Sequence, residues 1–159
     1  MPEIIKVYKE MFPPLTLIGR NYSNNDREGG SFAAKWQQWF GEGLFAPLDE
    51  IDNSDYIGAM RINDGSFEYW IGKLLPAGTK APEGYESIDL PAASVGVCWI
   101  SGKENDSAIY NMDKECVAAM AAQQMYPDGT WFIERYNCPR FTTPGENGEI
   151  ILDFLAFLK

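Results

Sequence analysis

The order of the predicted elements constrains the fold of this chain most strongly, because one short pattern occurs twice. Hydrophobic periodicity predicts a strand, a helix and two further strands, and then the same succession again. The two halves are not visibly alike in sequence, so the repeat is one of architecture. The predicted strands are residues 15–22, 56–62, 67–75, 85–100, 131–137 and 150–158, and the predicted helices are residues 31–42 and 112–124.

Such a repeat predicts the α+β class. Two βαββ units can pair into one curved antiparallel sheet that carries both helices on one side. The groove between the halves is then the natural place for a ligand. We expect a loosely helical leader within residues 1–14 and a single domain over residues 15–159, with half-repeats at about 15–78 and 85–159.

Local signals support this succession. Asp64 and Gly65 separate two apolar runs, and an Asp-Gly pair in that setting indicates a β-hairpin. Ser31 and Asp113 stand where the two helices begin and are candidate N-caps. Pro91 predicts a break or an edge position within the stretch of residues 85–100.

Composition and charge exclude several classes of protein. Hydrophobic residues make up 45% and aromatic residues 14% of the 159 positions, which argues for a folded domain and fits a ring-lined cavity. The net charge of −10 and the scattered basic residues argue against a nucleic-acid partner, since phosphate binding needs clustered Lys and Arg. The sequence also shows no helix-turn-helix.

The lack of a recognisable targeting signal and the pattern of cysteines predict a cytoplasmic protein. The sequence begins without a long apolar run, so we expect no signal peptide, and no segment predicts a membrane span. The three cysteines Cys98, Cys116 and Cys138 are widely spaced and odd in number. They indicate reduced thiols that act as small apolar side chains.

The absence of histidine narrows the chemistry further. A chain without histidine cannot carry a Ser-His-Asp or Cys-His catalytic set, nor a zinc site that uses imidazole. We expect no metal and no cofactor. Chemistry based on carboxylate, tyrosine, lysine or serine remains open.

One acid stands inside an aromatic strand. Residues 131–136 read WFIERY, and because side chains alternate between the faces of a strand, Phe132, Glu134 and Tyr136 share one face. A carboxylate among rings costs free energy unless a donor, a cation or a proton compensates it. It is either the base of an aromatic box for a flat or cationic molecule, or a surface acid on a solvated face.

Four segments in this order carry a resemblance to a known family. They are GGSFAAKWQQWF at residues 29–40, the hairpin of residues 56–78, SVGVCWISG at residues 94–102 and WFIERYNCPRFTTP at residues 131–144. Together they resemble the GyrI-like small-molecule-binding domain, which is similar to the effector-binding modules of AraC-type regulators and of MerR-type multidrug sensors. The resemblance extends from about Leu15 to Leu158.

The resemblance implies a pair of βαββ units around a central aromatic ligand cavity in a stand-alone bacterial, cytoplasmic protein. In the family, a glutamate on the strand after the second helix contacts cationic lipophilic ligands, and Glu134 occupies the matching position. The family resemblance therefore favours Glu134 as an acid of the cavity.

Further residues are candidates for the same cavity. Tyr69 and Phe67 are expected to line it, which directs Glu68 to the opposite face, where it is a solvated acid. Trp36 and Trp39 form a helical stripe that serves packing first and the cavity wall second. The full predicted ligand-binding set is Glu134, Tyr69, Trp99, Tyr136, Phe132, Phe67, Tyr56, Tyr110, Trp36 and Trp39.

Three functions are compatible with such a domain. The first is a binding protein for aromatic, often cationic, small molecules. The second is a hydrolase of strained cyclopropane-bearing alkylators, in which Glu134 activates water and Tyr69 or Tyr136 assists. The third is an interaction protein that docks to gyrase or to a regulator through its acidic surface.

Overall fold

The computed structural model describes residues 1–159, which form two compact units. The first unit comprises Pro14–Pro91, and the second comprises Met1–Pro13 together with Ala92–Lys159. The strands are β1 (Glu3–Phe12), β2 (Leu15–Tyr22), β3 (Tyr56–Asn63), β4 (Ser66–Pro76), β5 (Glu86–Leu90), β6 (Ala93–Lys103), β7 (Pro127–Tyr136) and β8 (Glu149–Leu158). The helices are α1 (Ala33–Gly41), α2 (Ala46–Asp49) and α3 (Asp113–Ala121).

The two units repeat one topology. The strands of the first unit lie in the order β3-β4-β2-β5, and those of the second lie in the matching order β7-β8-β6-β1. All neighbouring strands within each unit pair in the antiparallel direction. The sequence-based prediction of an α+β fold built from duplicated βαββ units is confirmed. Each unit adds one further strand, β5 in the first and β1 in the second.

The first unit packs α1 and α2 on one face of its strands. Trp39 is completely buried there, and its indole nitrogen donates to the Tyr22 hydroxyl at 2.9 Å. The packing role predicted for Trp39 is thus its main role. Its buried neighbours are Ile18, Phe32, Phe45, Leu48, Tyr69, Ile71 and Leu75.

A pair of glycines sets the close approach of β2 and β4. Gly19 and Gly72 are directly opposed in the register of the two strands. A Cβ on Gly19 would meet the Ile71 carbonyl oxygen at 1.9 Å, and one on Gly72 would meet the Ile18 carbonyl oxygen at 2.0 Å. Only residues without a side chain allow this backbone contact.

The second unit packs α3 on one face of its strands. Cys116 of α3 and Cys98 of β6 are completely buried, and their thiols are hydrogen-bonded to each other. A Cβ on Gly96 of β6 would lie 2.9 Å from the Met120 sulfur of α3, so the helix lies directly on this strand.

Two local expectations are corrected by the structure. The leader within residues 1–14, expected to be loosely helical, instead contains strand β1 (Glu3–Phe12), which pairs with β6, since tertiary pairing overrides weak helical propensity. The N-cap positions of α1 and α3 are occupied by Phe32 and Met112, one residue away from the predicted Ser31 and Asp113. The predicted break at Pro91 is confirmed, because it separates β5 from β6. No helix is long and apolar enough to cross a bilayer.

Substituting Gly19 with alanine should destabilise the first unit strongly. The added methyl group would overlap backbone atoms that cannot move independently, so we expect the free energy of unfolding to fall by about 3 kcal/mol or more. Urea denaturation measures this change. Gly41→Ala is the matched control, because no atom lies within 4 Å of its Cβ position. An equal loss in both variants would contradict the close-contact argument.

Candidate functional site

Glu134 lies on the α3 face of the second unit. Across the strands, Glu134 of β7 is opposite Phe154 of β8, which is opposite Cys98 of β6. Residues aligned in this way share a face of a sheet. Because Cys98 contacts Cys116 of α3, the Glu134 side chain projects toward the helix.

Four aromatic rings lie on or next to the part of the strands that carries Glu134. The Phe132 and Phe154 rings lie 6.0 Å apart at an interplanar angle of 30°. The Tyr136 ring is 4.8 Å from that of Phe141 in an edge-to-face arrangement. We call Glu134 and these four rings the Glu134 site. The structure thus brings together the predicted residues Phe132, Glu134 and Tyr136.

The carboxyl group of Glu134 is poorly compensated. The Tyr136 hydroxyl donates to Glu134 Oε1 at 3.1 Å, and no Lys or Arg is paired with this acid. Burial therefore raises the pKa of Glu134 to about 7; the Tyr136 hydrogen bond opposes this increase and the charge of Asp113 adds to it. A protonated carboxyl is then common at neutral pH.

Tyr110 is electrostatically linked to the same acid. It lies in a 3-10 turn over Ser107–Asn111, just before α3, and is 45% exposed. Burial of its hydroxyl raises its pKa, and the negative charge of Glu134 raises it further. The role of Tyr110 as a ligand-binding residue stays a prediction.

Glu68 of the first unit is also an acid on a strand, but unlike Glu134 it has several hydrogen-bond donors. It accepts hydrogen bonds from Arg61, Asn63 and the Trp70 indole, with the Arg61 Nε at 3.0 Å. Burial opposes its ionisation, but these donors outweigh burial and hold the pKa of Glu68 below its ordinary value. The expectation of a merely solvated acid is corrected, whereas its predicted orientation away from Tyr69 agrees with the register.

Trp99 is placed away from Glu134. It is aligned with Asp153 and Arg135 across β6, β8 and β7, which is the face opposite to α3. Arg140 and Lys6 lie over its ring at 4.1 and 4.6 Å, and its indole nitrogen is buried without a hydrogen-bond partner. We expected Trp99 to line the same cavity as Glu134. Within the second unit it does not, because Trp99 follows Cys98 directly on β6 and consecutive side chains of a strand point to opposite faces.

The remaining predicted residues belong to the first unit. The Tyr69 ring stacks on Phe32 at 4.1 Å, and the Tyr69 hydroxyl accepts a hydrogen bond from Trp36 at 2.8 Å. Phe67 stacks on Phe32 at 6.3 Å, and Tyr56 packs on Phe45 at 4.3 Å. These rings form a continuous aromatic cluster with α1.

Sequence reasoning missed Phe154, Phe141 and Asp113. Phe154 reaches the site through the register of β8 on β7, and the long connection between these strands hides that register from the sequence. Alternation along residues 150–158 places Phe154 on one of the two faces of the strand. Only the pairing of β8 with β7 shows that this is the face of Glu134. No group of three or more acidic or thiol side chains is arranged to hold a metal ion.

Comparison with known proteins places this geometry in a wider group. No protein-family model and no curated protein matches the chain. Solved structures do: SAV2435 bound to tetraphenylphosphonium has a TM-score of 0.71 at 20% identity, over 98% of this chain and 94% of that one. A putative transcription regulation protein from Staphylococcus aureus MU50 has a TM-score of 0.69 at 19% identity, over 98% and 99%. The EcmrR C-terminal domain has 0.59 at 7% identity, over 97% of both chains.

The chain has the fold of a GyrI-like effector-binding domain. The resemblance predicted from the sequence is confirmed at this level. In the GyrI-like fold, Glu134 is on the strand that follows the helix of the second βαββ unit.

Glu134→Gln should remove a pH-dependent loss of stability. The folded-state pKa of about 7 exceeds the ordinary value of 4.5, so the folded protein holds this proton more tightly than the unfolded chain. The contribution of Glu134 to the free energy of unfolding is fully present below pH 4.5. It is lost as the pH rises through about 7, and the loss amounts to about 3 kcal/mol. Denaturation between pH 5 and 8 should show a shallower decline in the variant.

Glu68→Gln is the control with the opposite sign. Since the pKa of Glu68 is lowered in the folded protein, its contribution is present at neutral pH and lost in acid. The variant should therefore lose stability at neutral pH relative to the unsubstituted protein. Identical pH profiles for the two variants would contradict the difference in compensation described above.

Proposed function

We propose that the protein binds lipophilic organic cations and that Glu134 supplies the opposing charge. The observation that carries this proposal is the Glu134 site, in which the carboxyl of a half-buried glutamate has one hydroxyl donor and no basic partner. A bound cation would pair with Glu134 in the way that Arg61 pairs with Glu68 in the first unit. The net charge of −10 further favours the approach of a cation.

The energetics favour a cation over a neutral ring system. A positive charge beside Glu134 would stabilise the carboxylate and lower its pKa from about 7 toward the ordinary 4.5. The surrounding rings would contribute apolar contact and cation–π attraction, about 0.5–2 kcal/mol for each well-placed ring. Both contributions need a ligand with aromatic or aliphatic bulk around its charge.

The comparisons support the same class of ligand. Tetraphenylphosphonium, the molecule bound to SAV2435, is a monocation whose charge is enclosed by four phenyl rings. Its chemistry matches a carboxylate among rings. At 20% identity the likeness concerns the fold, so the ligand class for this chain rests on Glu134 and its surroundings.

Glu134→Gln should weaken the binding of tetraphenylphosphonium by about 10- to 100-fold, which corresponds to about 1.4–2.8 kcal/mol. Binding of the neutral triphenylphosphine oxide should change much less, because it cannot pair with a carboxylate. Isothermal titration at pH 8 measures both. Glu68→Gln is the matched control and should leave both affinities unchanged. Equal losses for the two ligands would contradict the electrostatic role of Glu134.

The pH dependence of binding provides a second measure. A cation binds best to the ionised carboxylate, so its affinity should rise between pH 6 and 8, around the pKa of about 7, and reach a plateau above it. The Gln variant should show no such rise. A flat profile in the unsubstituted protein would count against the proposed pairing.

A hydrolytic activity is the second candidate. A carboxylate with a pKa of about 7 is well matched to act as a general base at neutral pH, and Tyr136 orients it. Turnover of a cyclopropane-bearing alkylator, lost in Glu134→Gln, would favour an enzyme. Stoichiometric binding without product would favour the binding protein. Docking to gyrase or to a regulator stays a prediction.

A further inference from the structure

Arg27 of the first unit covers an aromatic surface of its own chain. Its guanidinium carbon lies 4.6 Å from the centre of the Phe32 ring and 5.1 Å from that of Phe67. These distances are within the range of a cation–π contact. Arg27 itself is exposed, so its guanidinium group lies between the rings and solvent.

The rings beneath Arg27 are held rigidly. Phe32 is 6% exposed and stacks on Tyr69 with an interplanar angle of 4°. The Tyr69 hydroxyl accepts from the Trp36 indole, which joins the stack to α1. Phe32 is therefore held by contacts that do not involve Arg27, and the half-buried Phe67 stacks on it at 6.3 Å.

The segment that carries Arg27, residues 23–31, is tied mainly to itself. Its hydrogen bonds join residues at most three positions apart, including those from Arg27 to Asn24 Oδ1 at 3.0 Å and to the Gly30 carbonyl oxygen at 3.4 Å. An ion pair links the exposed Glu28 to the partly buried Lys35 of α1 at 3.7 Å. The exposed Arg27 side chain can turn toward solvent while Asn24 and Gly30 stay in place.

We propose that the Phe32–Phe67 surface is a second binding site, selective for planar organic cations such as aryl guanidiniums, and that Arg27 occupies it as an internal competitor. A flat cation can stack on the same two rings. The acceptors that Arg27 now uses, Asn24 Oδ1 and the Gly30 carbonyl, match a guanidinium in particular. Charge at this site is recognised by ring faces and neutral oxygens, in contrast to the carboxylate of the Glu134 site.

An internal competitor lowers the apparent affinity by the fraction of molecules in which the site is open. Removing the competitor should therefore tighten binding, which is the opposite of the usual effect of losing a contact residue. This sign distinguishes a competitor from a ligand-binding arginine.

The test uses full-length protein with Glu134→Gln as the background, so that the Glu134 site does not contribute. Phenylguanidinium is titrated calorimetrically into this protein and into the same protein with Arg27→Gln added. We expect the added substitution to raise the affinity about five- to tenfold. The neutral phenylurea should bind weakly to both. Arg20→Gln is the matched control, since Arg20 lies over the Tyr85 ring at 5.6 Å, and should change nothing.

A third variant locates the site. Adding Phe67→Leu to the Arg27→Gln protein should abolish the gain in affinity while urea denaturation shows an intact fold. An unchanged or weaker affinity after Arg27→Gln would overturn the proposal, and so would a gain that survives Phe67→Leu. Failure of the Glu134-dependent binding would appear only in proteins that retain Glu134, so the two proposals fail separately.

Discussion

The Arg135–Asp153 ion pair fixes the arrangement on which the Glu134 site depends. Asp153 is completely buried, and Arg135 Nε lies 2.8 Å from its Oδ2 atom. Arg140 contacts the same carboxylate and Glu10 contacts Arg135, so this buried charge is compensated from several sides. A slip of β7 by one residue would break the pair and turn every side chain to the other face. With the pair in place, Glu134 has to face α3.

The two units use one topology for different electrostatics. On the helix side of the first unit, the fully buried Lys73 pairs with Asp49 at 2.6 Å and donates to the Asp52 carbonyl oxygen at 3.0 Å. On the helix side of the second unit, Glu134 has only the Tyr136 hydroxyl. The buried cation of the first unit is thus paired within the unit, while the acid of the second unit has no basic partner.

Alternation along a strand made Glu134, Phe132 and Tyr136 predictable as a group, because they are local neighbours with period two. Phe154 and Phe141 were not predictable, because they approach through the register of β8 and through the long connection before it. Trp99 was misplaced for a related reason: its phase relative to Val95 and Val97 is readable in the sequence, but the face of the sheet that meets α3 is not. The helical prediction for the leader was wrong because this segment pairs with β6 as strand β1, and that pairing is not visible in the local sequence.

The sequence by itself determined the α+β class, the duplicated βαββ order and the presence of one acid within an aromatic strand. These features are local, since they follow from periodicity, turn residues and neighbouring side chains. Only the tertiary structure decided that Glu134 lacks a basic partner while Glu68 has one, because each outcome depends on residues brought together by strand pairing. The pKa of an acid is set by what surrounds it in space, and that is the information a linear sequence does not carry.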